Sequence, residues 1–283
     1  MAVFNKSIGL SLGILLVSTM VIMTPYESSP RAEKDKPFPW PEGKRCAISL
    51  TFDDARPSQI DTGIPLLNRY GVKAAFYISP GNLEKRLEGW KGAAAAGHEI
   101  GNHTQTHPCS GNFAFARDNA LEEYTLDRMA EEMDGANRFI FDMLQVRAVS
   151  FAYPCGQKFV GRGEKLLSYV PLVARKFLTG RGWLDEDAND PWFCDFAQLM
   201  GMESDGKTFD ELKKRAVKAA ESGSWLVLAG HEIGTGGNQT TLVDSLEKLC
   251  QFAQDPANGI WMDTVAAVAE YIQKTRDASH VKY

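Results

Sequence analysis

Residues 46–54 read CAISLTFDD, a strand-like run followed by two adjacent carboxylates. From this point on, apolar runs of strand length alternate with segments of helical period. The further predicted strands are KAAFYIS (73–79), HEIGN (98–102), AVSFAYP (148–154), LVARKFL (172–178), SWLVLAG (224–230) and GIWMD (259–263). The predicted helices are residues 60–70, 83–97, 116–144, 208–222, 241–254 and 265–275. This alternation indicates an α/β fold in which a parallel sheet with helical crossovers closes, or nearly closes, into a barrel.

The composition is that of an ordinary globular protein, with 44% hydrophobic and 24% charged residues among 283. The formal net charge is −5, and no long basic run is present. Nucleic acid is therefore not an expected partner.

The first 25 residues differ from the rest of the chain. Lys6 precedes an apolar run without charges at residues 7–23, which is typical of a secretory signal peptide or of an uncleaved signal anchor. The polar, proline-rich residues 26–43 read as a linker, followed by one catalytic domain at 44–276 and a tail at 277–283. We expect an exported protein, periplasmic or extracellular, and an anchor would tether it to the membrane.

The chain has five cysteines, at positions 46, 109, 155, 194 and 250. In an oxidising compartment they allow one or two disulfides and leave at least one thiol, and small buried thiols are the alternative for several of them. The sequence does not fix the pairing.

Polar residues recur where the predicted strands end: Asp53 and Asp54, then His103, Cys155 and His231. Because the carboxyl ends of parallel barrel strands converge on one face, these residues are expected to share a pocket.

The spacing of His103 and His107 would place both on one face of a helical turn, within reach of one ion. With Asp54 they form a three-ligand set that leaves a position open for water, the pattern of a catalytic metal. Asp53 and His231 are then available as base and acid. Taken singly, the residues have simpler alternatives, namely a turn or helix cap for the carboxylates, a solvated pair for the first two histidines and a core position for His231.

Three motifs together resemble the NodB-homology polysaccharide deacetylases, carbohydrate esterase family four. They are TFDDA (51–55), HTQTH (103–107) and LVLAGH (226–231), and the similarity spans roughly residues 44–272. The resemblance implies a deformed (β/α) barrel with its active site at the C-terminal strand ends. It also implies a divalent metal, most often Zn²⁺ with Co²⁺, Mn²⁺ or Ni²⁺ as alternatives, bound by Asp54, His103 and His107. Asp53 would be the general base, and His231 the general acid toward the leaving amine.

The third family motif departs from its usual form R-P-P-Y-G, since this chain has FAYPCG (151–156) with Ala152 where an arginine that orients the catalytic aspartate is common. We expect another cation in that role and select Arg175, for which a strand-end salt bridge is the alternative. The backbone N–H aligned with Cys155 would supply the oxyanion hole. Ala55 replaces the usual glycine of the first motif, which would cost stability if the position required a positive φ.

The fourth family motif does not align, and the carboxylates within residues 182–192 are interpreted as surface charges of a loop, with a partner of His231 among them as the alternative. Trp183 and Trp192 lie in the same loop-like stretch and are candidates for the pocket, whereas Trp225 is expected in the core.

The expected reaction is the removal of N-acetyl, or less often O-acetyl, groups from a carbohydrate. The alternatives are hydrolysis of other C–N bonds, such as those of cyclic amides, and a non-catalytic carbohydrate-binding role. The sequence predicts no oligomeric state.

Overall fold

Strand β1, Cys46–Asp53, lies at the centre of a parallel sheet, and all eight of its residues are buried. It pairs with β9 along one side, and with β12 and then β2 along the other. A strand covered on both faces and both edges must be apolar along most of its length, which is why the sequence here is nearly continuous in hydrophobic residues.

The computed structural model describes Met1 and residues 36–279. The predicted signal peptide or signal anchor, apart from Met1, and residues 280–283 of the predicted tail lie outside the described residues. In the part that is described, no helix is long and apolar enough to cross a membrane.

The main sheet has the strand order β7-β4-β3-β2-β1-β9-β8, with β12 beside the first residues of β1. Every ladder in it is parallel. The prediction of an α/β fold with a curled parallel sheet, the deformed (β/α) barrel, is confirmed. The strands are β1 Cys46–Asp53, β2 Ala75–Ile78, β3 Glu99–Asn102, β4 Ser150–Ala152, β5 Phe159–Val160, β6 Leu167–Ser168, β7 Thr179–Arg181, β8 Met202–Glu203, β9 Trp225–Gly230, β10 Glu232–Gly234, β11 Thr240–Leu242 and β12 Ile260–Met262.

The helices are α1 Ile64–Arg69, α2 Pro80–Leu83, α3 Leu87–Ala95, α4 Leu126–Leu144, α5 Val170–Lys176, α6 Phe209–Ser222, α7 Val243–Gln254 and α8 Val265–Ala278. Helix α6 begins with a complete capping box between Thr208 and Glu211 and ends at Gly223 with a φ of 72°. These local signals explain why its predicted bounds are accurate to one residue.

Two predicted elements are wrong. The long helix expected from residue 116 begins only at Leu126, where the Thr125 side chain caps it by accepting from the Arg128 N–H, and the residues before it form short 3₁₀ turns. Most of the predicted strand 172–178 is instead part of helix α5, Val170–Lys176. Pro171 lies in the first turn of this helix, and Leu172 and Val173 directly after it are buried.

The side chains of β1 alternate between two environments. Cys46, Ile48, Leu50 and Phe52 enter the larger hydrophobic core, which the outer helices cover. Asp53 follows Phe52 and is buried on the opposite face, toward the inside of the curled sheet. The period of the strand therefore places this carboxylate inside the barrel.

Part of the predicted linker belongs to the folded domain. Phe38 and Trp40 are buried in the second hydrophobic core, and the Trp40 indole N–H donates to the Gly223 carbonyl over 3.0 Å. The Phe38 ring lies edge-on to Trp192, with 4.8 Å between the ring centroids. The folded domain thus begins before the predicted residue 44.

Candidate metal centre and active site

Three possible metal ligands converge at the carboxyl ends of β1 and β3. Asp54 Oδ1 lies 3.7 Å from His103 Nε2 and 3.6 Å from His107 Nε2. The three ligand atoms all lie within 4.8 Å of one another. Bonds of about 2.0–2.1 Å from one zinc ion would reach all three atoms after small adjustments of the side chains. Two imidazoles and one carboxylate are a donor set that suits such an ion.

The histidine pair is not helical, so the helical arrangement considered for its spacing does not apply. His103 follows β3 directly, and the chain then reverses through Thr104 and His107, whose φ angles are 64° and 53°. The Thr104 hydroxyl accepts from the His107 N–H over 3.1 Å and stabilises this loop. The turn, rather than a helical face, brings the two rings to a centroid distance of 4.7 Å.

The protein holds both imidazoles in the form that a metal requires. The His103 Nδ1–H donates to the carbonyl of Ala152 over 2.8 Å, which leaves the Nε2 lone pair facing Asp54. Burial, and then the neighbouring His103, lowers the pKa of His107 to about 4, although Asp54 and Asp53 oppose this shift. His107 is therefore neutral at pH 7.

Asp54 presents one oxygen to the histidines and the other to a cation. Its Oδ2 accepts from the Arg56 guanidinium at 2.9 Å and 3.2 Å. Burial alone would raise the pKa of Asp54, but His103 and His107 outweigh it, so the pKa is lowered. Asp54 and Ala55 both have positive φ angles, 73° and 53°, so the position that usually holds glycine is occupied here by a strained alanine.

Asp53 forms a buried ion pair with Arg181 at the end of β7. The Arg181 Nη2–H donates to Asp53 Oδ1, and Arg181 itself is fully buried. In the parallel register, Arg181 lies directly beside Ala152 of β4. The cation that the sequence lacks at position 152 is thus supplied by the neighbouring strand.

The prediction that Arg175 orients Asp53 is wrong. Arg175 lies in α5 and is exposed, whereas Arg181 contacts the carboxylate. This prediction depended on the wrong assignment of residues 172–178 as a strand, which placed Arg175 near a strand end.

The arginine controls the charge of Asp53. Burial by itself would raise the pKa of this carboxyl, but Arg181, followed by His103 and His231, lowers it to about 2. Asp53 is therefore ionised at neutral pH although it is buried.

His231 follows β9 and is held by Asp205, which follows β8. The His231 Nδ1–H donates to Asp205 Oδ2 over 2.7 Å, and the His231 backbone N–H donates to Oδ1 over 3.1 Å. The Thr241 hydroxyl donates to the same Oδ1 over 2.9 Å. A Cβ at Gly230 would lie 2.8 Å from Asp205 Oδ1 and 2.2 Å from Thr241 Oγ1, so this network leaves no room for a larger residue there.

The partner of His231 is Asp205, and not one of the carboxylates within residues 182–192 that were considered as an alternative. Two carboxylates of that segment are used elsewhere, since Asp185 accepts from the Gly201 N–H and Asp187 pairs with Lys218. Burial lowers the pKa of His231, but the hydrogen bond to Asp205 and the charge of Asp53 outweigh it, and the net pKa is raised.

The turn at Cys155 is covalently tied to the histidine loop by a disulfide between Cys109 and Cys155. Cys155 has a φ of 53°, and the amides of Gly156 and Gln157 are already engaged by the carbonyls of Tyr153 and Pro154. Cys109 Sγ lies 3.6 Å from His107 Nδ1. The crosslink joins the loop of one candidate metal ligand to the turn of the predicted oxyanion hole, and Cys46, Cys194 and Cys250 are free thiols.

The predicted pocket aromatics separate into two groups. Trp183 lies edge-on to His231, with 4.8 Å between the centroids, and belongs to the site. Trp192 packs in the second hydrophobic core and is not part of the pocket. Trp225 is fully buried, as expected for a core residue.

Residues 41–164 match the family model described as polysaccharide deacetylase. Over these residues, which are less than half of the chain, the chain is similar to the polysaccharide deacetylase family. The matched part contains Asp53, Asp54, His103, His107 and Cys155, so both carboxylates and both loop histidines of the site lie inside it.

Curated relatives match this chain over limited lengths. The chain is 35% identical over 82 residues to a peptidoglycan-N-acetylglucosamine deacetylase from Bacillus cereus, a match that covers 25% of this chain and 30% of that protein. It is 31% identical over 145 residues to a gellan lyase from a Bacillus species, covering 50% of this chain and 5% of the lyase. The chain thus spans less than a third of the length of these curated relatives.

The fold is also similar to that of a solved allantoinase, with a TM-score of 0.61 at 14% sequence identity. This match covers 90% of the chain and 100% of the allantoinase. At such low identity the similarity concerns the fold alone.

Arg181 and Asp205 are site residues that the polysaccharide deacetylase motifs did not reveal. Each stands at or just after the end of a very short strand, β7 with three residues and β8 with two. Such strands are too short for a hydrophobic period to be recognised. One sequence signal could have pointed to both residues, because each is a charged residue next to a glycine. Arg181 lies in TGRG (179–182), and Asp205 lies in SDG (204–206).

Proposed function

We propose that this protein is a metal-dependent hydrolase that removes acetyl groups, mainly N-acetyl, from a carbohydrate polymer or oligosaccharide. The observation that carries the proposal is the convergence of Asp54, His103 and His107 beside an ionised Asp53 and a histidine–aspartate pair. The family match supports the same reaction class.

Asp54, His103 and His107 would hold the divalent ion, which would polarise the acetyl carbonyl and acidify the attacking water. Zn²⁺ is the expected ion for two imidazoles and one carboxylate, and Co²⁺, Mn²⁺ and Ni²⁺ are alternatives. Arg56 takes the second oxygen of Asp54 and so restricts this carboxylate to a single ligand atom.

Asp53 acts as the general base in this proposal. Because Arg181 keeps it ionised, Asp53 can accept a proton from the attacking water at neutral pH. The guanidinium also fixes the direction of the carboxylate, because Arg181 is itself held by a 2.7 Å hydrogen bond to the Gly182 carbonyl.

His231 acts as the general acid. Its raised pKa favours the imidazolium, and Asp205 fixes the ring so that Nε2–H is left for the substrate. As the C–N bond breaks, His231 gives its proton to the departing nitrogen, and acetate and a free amino sugar result. The backbone N–H of Cys155 would stabilise the developing charge on the carbonyl oxygen.

We also propose that the protein is exported. The charge-free run at residues 7–23 supports a signal peptide or a signal anchor. The disulfide between Cys109 and Cys155 supports an oxidising compartment.

The proposal is tested by acetate release from chito-oligosaccharides, peptidoglycan and acetylated xylan, with wild-type protein and with Asp53→Asn. Release by the wild type and its loss in the variant are expected. If none of these substrates yields acetate while a cyclic amide is hydrolysed, the reaction class is wrong. Binding of the sugars without any hydrolysis would indicate a non-catalytic role.

A further inference from the structure

Two phenylalanine rings are exposed beside the candidate metal ligands. Phe113 and Phe115 are 44% and 70% exposed, and their ring centroids lie 5.6 Å apart. Phe115 in turn lies 6.5 Å from the ring of His107. An apolar surface of this kind therefore begins directly at the edge of the site.

The segment that carries these rings is anchored to its surroundings. The Asn119 side chain donates to Thr106 Oγ1 over 2.7 Å, and the Thr106 N–H and hydroxyl both donate to Glu132. Ala116, between the rings and Asn119, is buried. These contacts hold the segment against the histidine loop and α4, while both phenylalanine rings are exposed to solvent.

We propose that Phe113 and Phe115 form an aromatic platform that binds a pyranose ring of the substrate next to the sugar that carries the acetyl group. This inference rests on the proposed function and specifies its substrate as an oligomer that extends across the histidine loop. The flat C–H face of a pyranose is apolar and matches a phenyl face, while its hydroxyl groups stay in water.

The size of the platform favours a sugar over a protein partner. Two phenyl rings with these exposures offer on the order of 200 Å² of surface, whereas a stable protein interface needs about 800 Å² from each partner. Trp183 is another aromatic ring of the site, but it lies edge-on to His231 and is only partly exposed, so the phenylalanine pair is the freer aromatic face.

The test compares Phe113→Ala and Phe115→Ala with Phe141→Ala, a matched control in the last turn of α4 that is 41% exposed. Each protein is assayed on the N-acetylglucosamine tetramer, on the corresponding acetylated xylo-oligosaccharide and on p-nitrophenyl acetate. We expect KM for the oligosaccharides to rise roughly threefold to tenfold in the platform variants with kcat little changed. Turnover of p-nitrophenyl acetate should stay at the wild-type level, and Phe115→Trp should restore the low KM. The platform is refuted if neither platform variant raises the oligosaccharide KM above that of Phe141→Ala.

A binding measurement separates failure of the platform from failure of the proposed function. Affinity for the same two oligosaccharides is measured by calorimetry in metal-free wild-type protein, Phe115→Ala and Phe141→Ala. If the wild type releases no acetate but binds an oligosaccharide more tightly than Phe115→Ala does, the platform stands and the proposed reaction fails. No binding by the wild type, or equal binding by all three proteins, overturns the platform.

Discussion

Arg181 and Asp53 form a buried ion pair across 128 residues of sequence. Because Arg181 stands beside Ala152 in the register of β7 on β4, the guanidinium enters the barrel from the strand next to the one that carries the family's usual arginine. A buried carboxylate and a buried guanidinium each lose their hydration, so each charge lowers the cost of burying the other.

Arg181→Ala is expected to move the acid limb of the kcat/KM profile to higher pH. Without the guanidinium, burial raises the pKa of Asp53 from its present value of about 2, and the base becomes protonated within the measurable range. The same ion pair also makes the stability of the fold depend on pH. The depressed pKa stabilises the fold above the ordinary carboxyl pKa of 3.8, and this contribution is lost as the pH falls toward 2. Leaving one buried partner alone should cost about 3–5 kcal/mol of unfolding free energy.

Arg175→Ala is the matched control, because Arg175 is an exposed arginine on α5 that is six residues away in sequence. It should leave both the pH profile and urea unfolding at wild-type values. Arg181→Lys, which keeps the charge, should shift the acid limb less than Arg181→Ala does. Equal profiles for Arg181→Ala and Arg175→Ala would show that Arg181 does not control the base.

The parts of the site that lie at the ends of long apolar strands could be predicted from the sequence. Asp53 is the last residue of a strand of eight, and His231 follows a strand of six, and the hydrophobic runs of both strands are unambiguous. The contributions of β7 and β8 could not be predicted, because strands of three and two residues are too short to show a hydrophobic period. The conformation of the loop of His103 and His107 could not be predicted for a different reason. A spacing of four residues fits a helix, but the positive φ of His107 depends on tertiary contacts that the sequence does not show.

His231→Ala should impair amide substrates far more than activated esters. An amine must be protonated to leave, whereas p-nitrophenolate leaves without a proton. We expect a loss of roughly 10²–10⁴-fold in kcat on N-acetylated oligosaccharides and a much smaller loss on p-nitrophenyl acetate. The two substrates should be assayed with one preparation of the variant, and equal losses on both would contradict the role of general acid.

Asp205→Asn should move the alkaline limb of the kcat/KM profile to lower pH. The hydrogen bond from His231 to Asp205 raises the pKa of the imidazole against the effect of burial, so its loss lets burial dominate. In stability terms, the protonated pair stabilises the fold below the ordinary histidine pKa of 6.5, and the effect disappears as the pH rises through the raised pKa.

The pKa of His231 can be measured directly by NMR titration in wild type, Asp205→Asn and Asp187→Asn. Asp187 is an exposed carboxylate paired with Lys218, so its variant is the control and should titrate as the wild type does. An unchanged His231 pKa in Asp205→Asn would show that Asp205 does not set the protonation of the acid.

Replacing Cys109 and Cys155 by serine should lower both stability and metal affinity. The crosslink closes a loop over a sequence separation of 46, and its loss should cost about 2–4 kcal/mol of unfolding free energy. It also ties the loop of His107 to the Cys155 turn, so zinc binding measured by calorimetry should weaken. Reductant should change the wild type in the same direction and leave the double variant unaffected. A reductant-insensitive wild type with unchanged zinc affinity in the variant would contradict this role of the disulfide.

Metal-dependent deacetylation is tested most directly by following acetate release from an N-acetylated oligosaccharide as bound metal is removed and returned. We expect acetate release to fall with bound metal during dialysis against a chelator and to recover as Zn²⁺ is added up to one equivalent per chain. His103→Ala should neither retain the metal nor recover activity, whereas Arg175→Ala should behave like the wild type. Undiminished acetate release from protein stripped of metal, or full metal retention and activity in His103→Ala, would contradict the proposed metal centre.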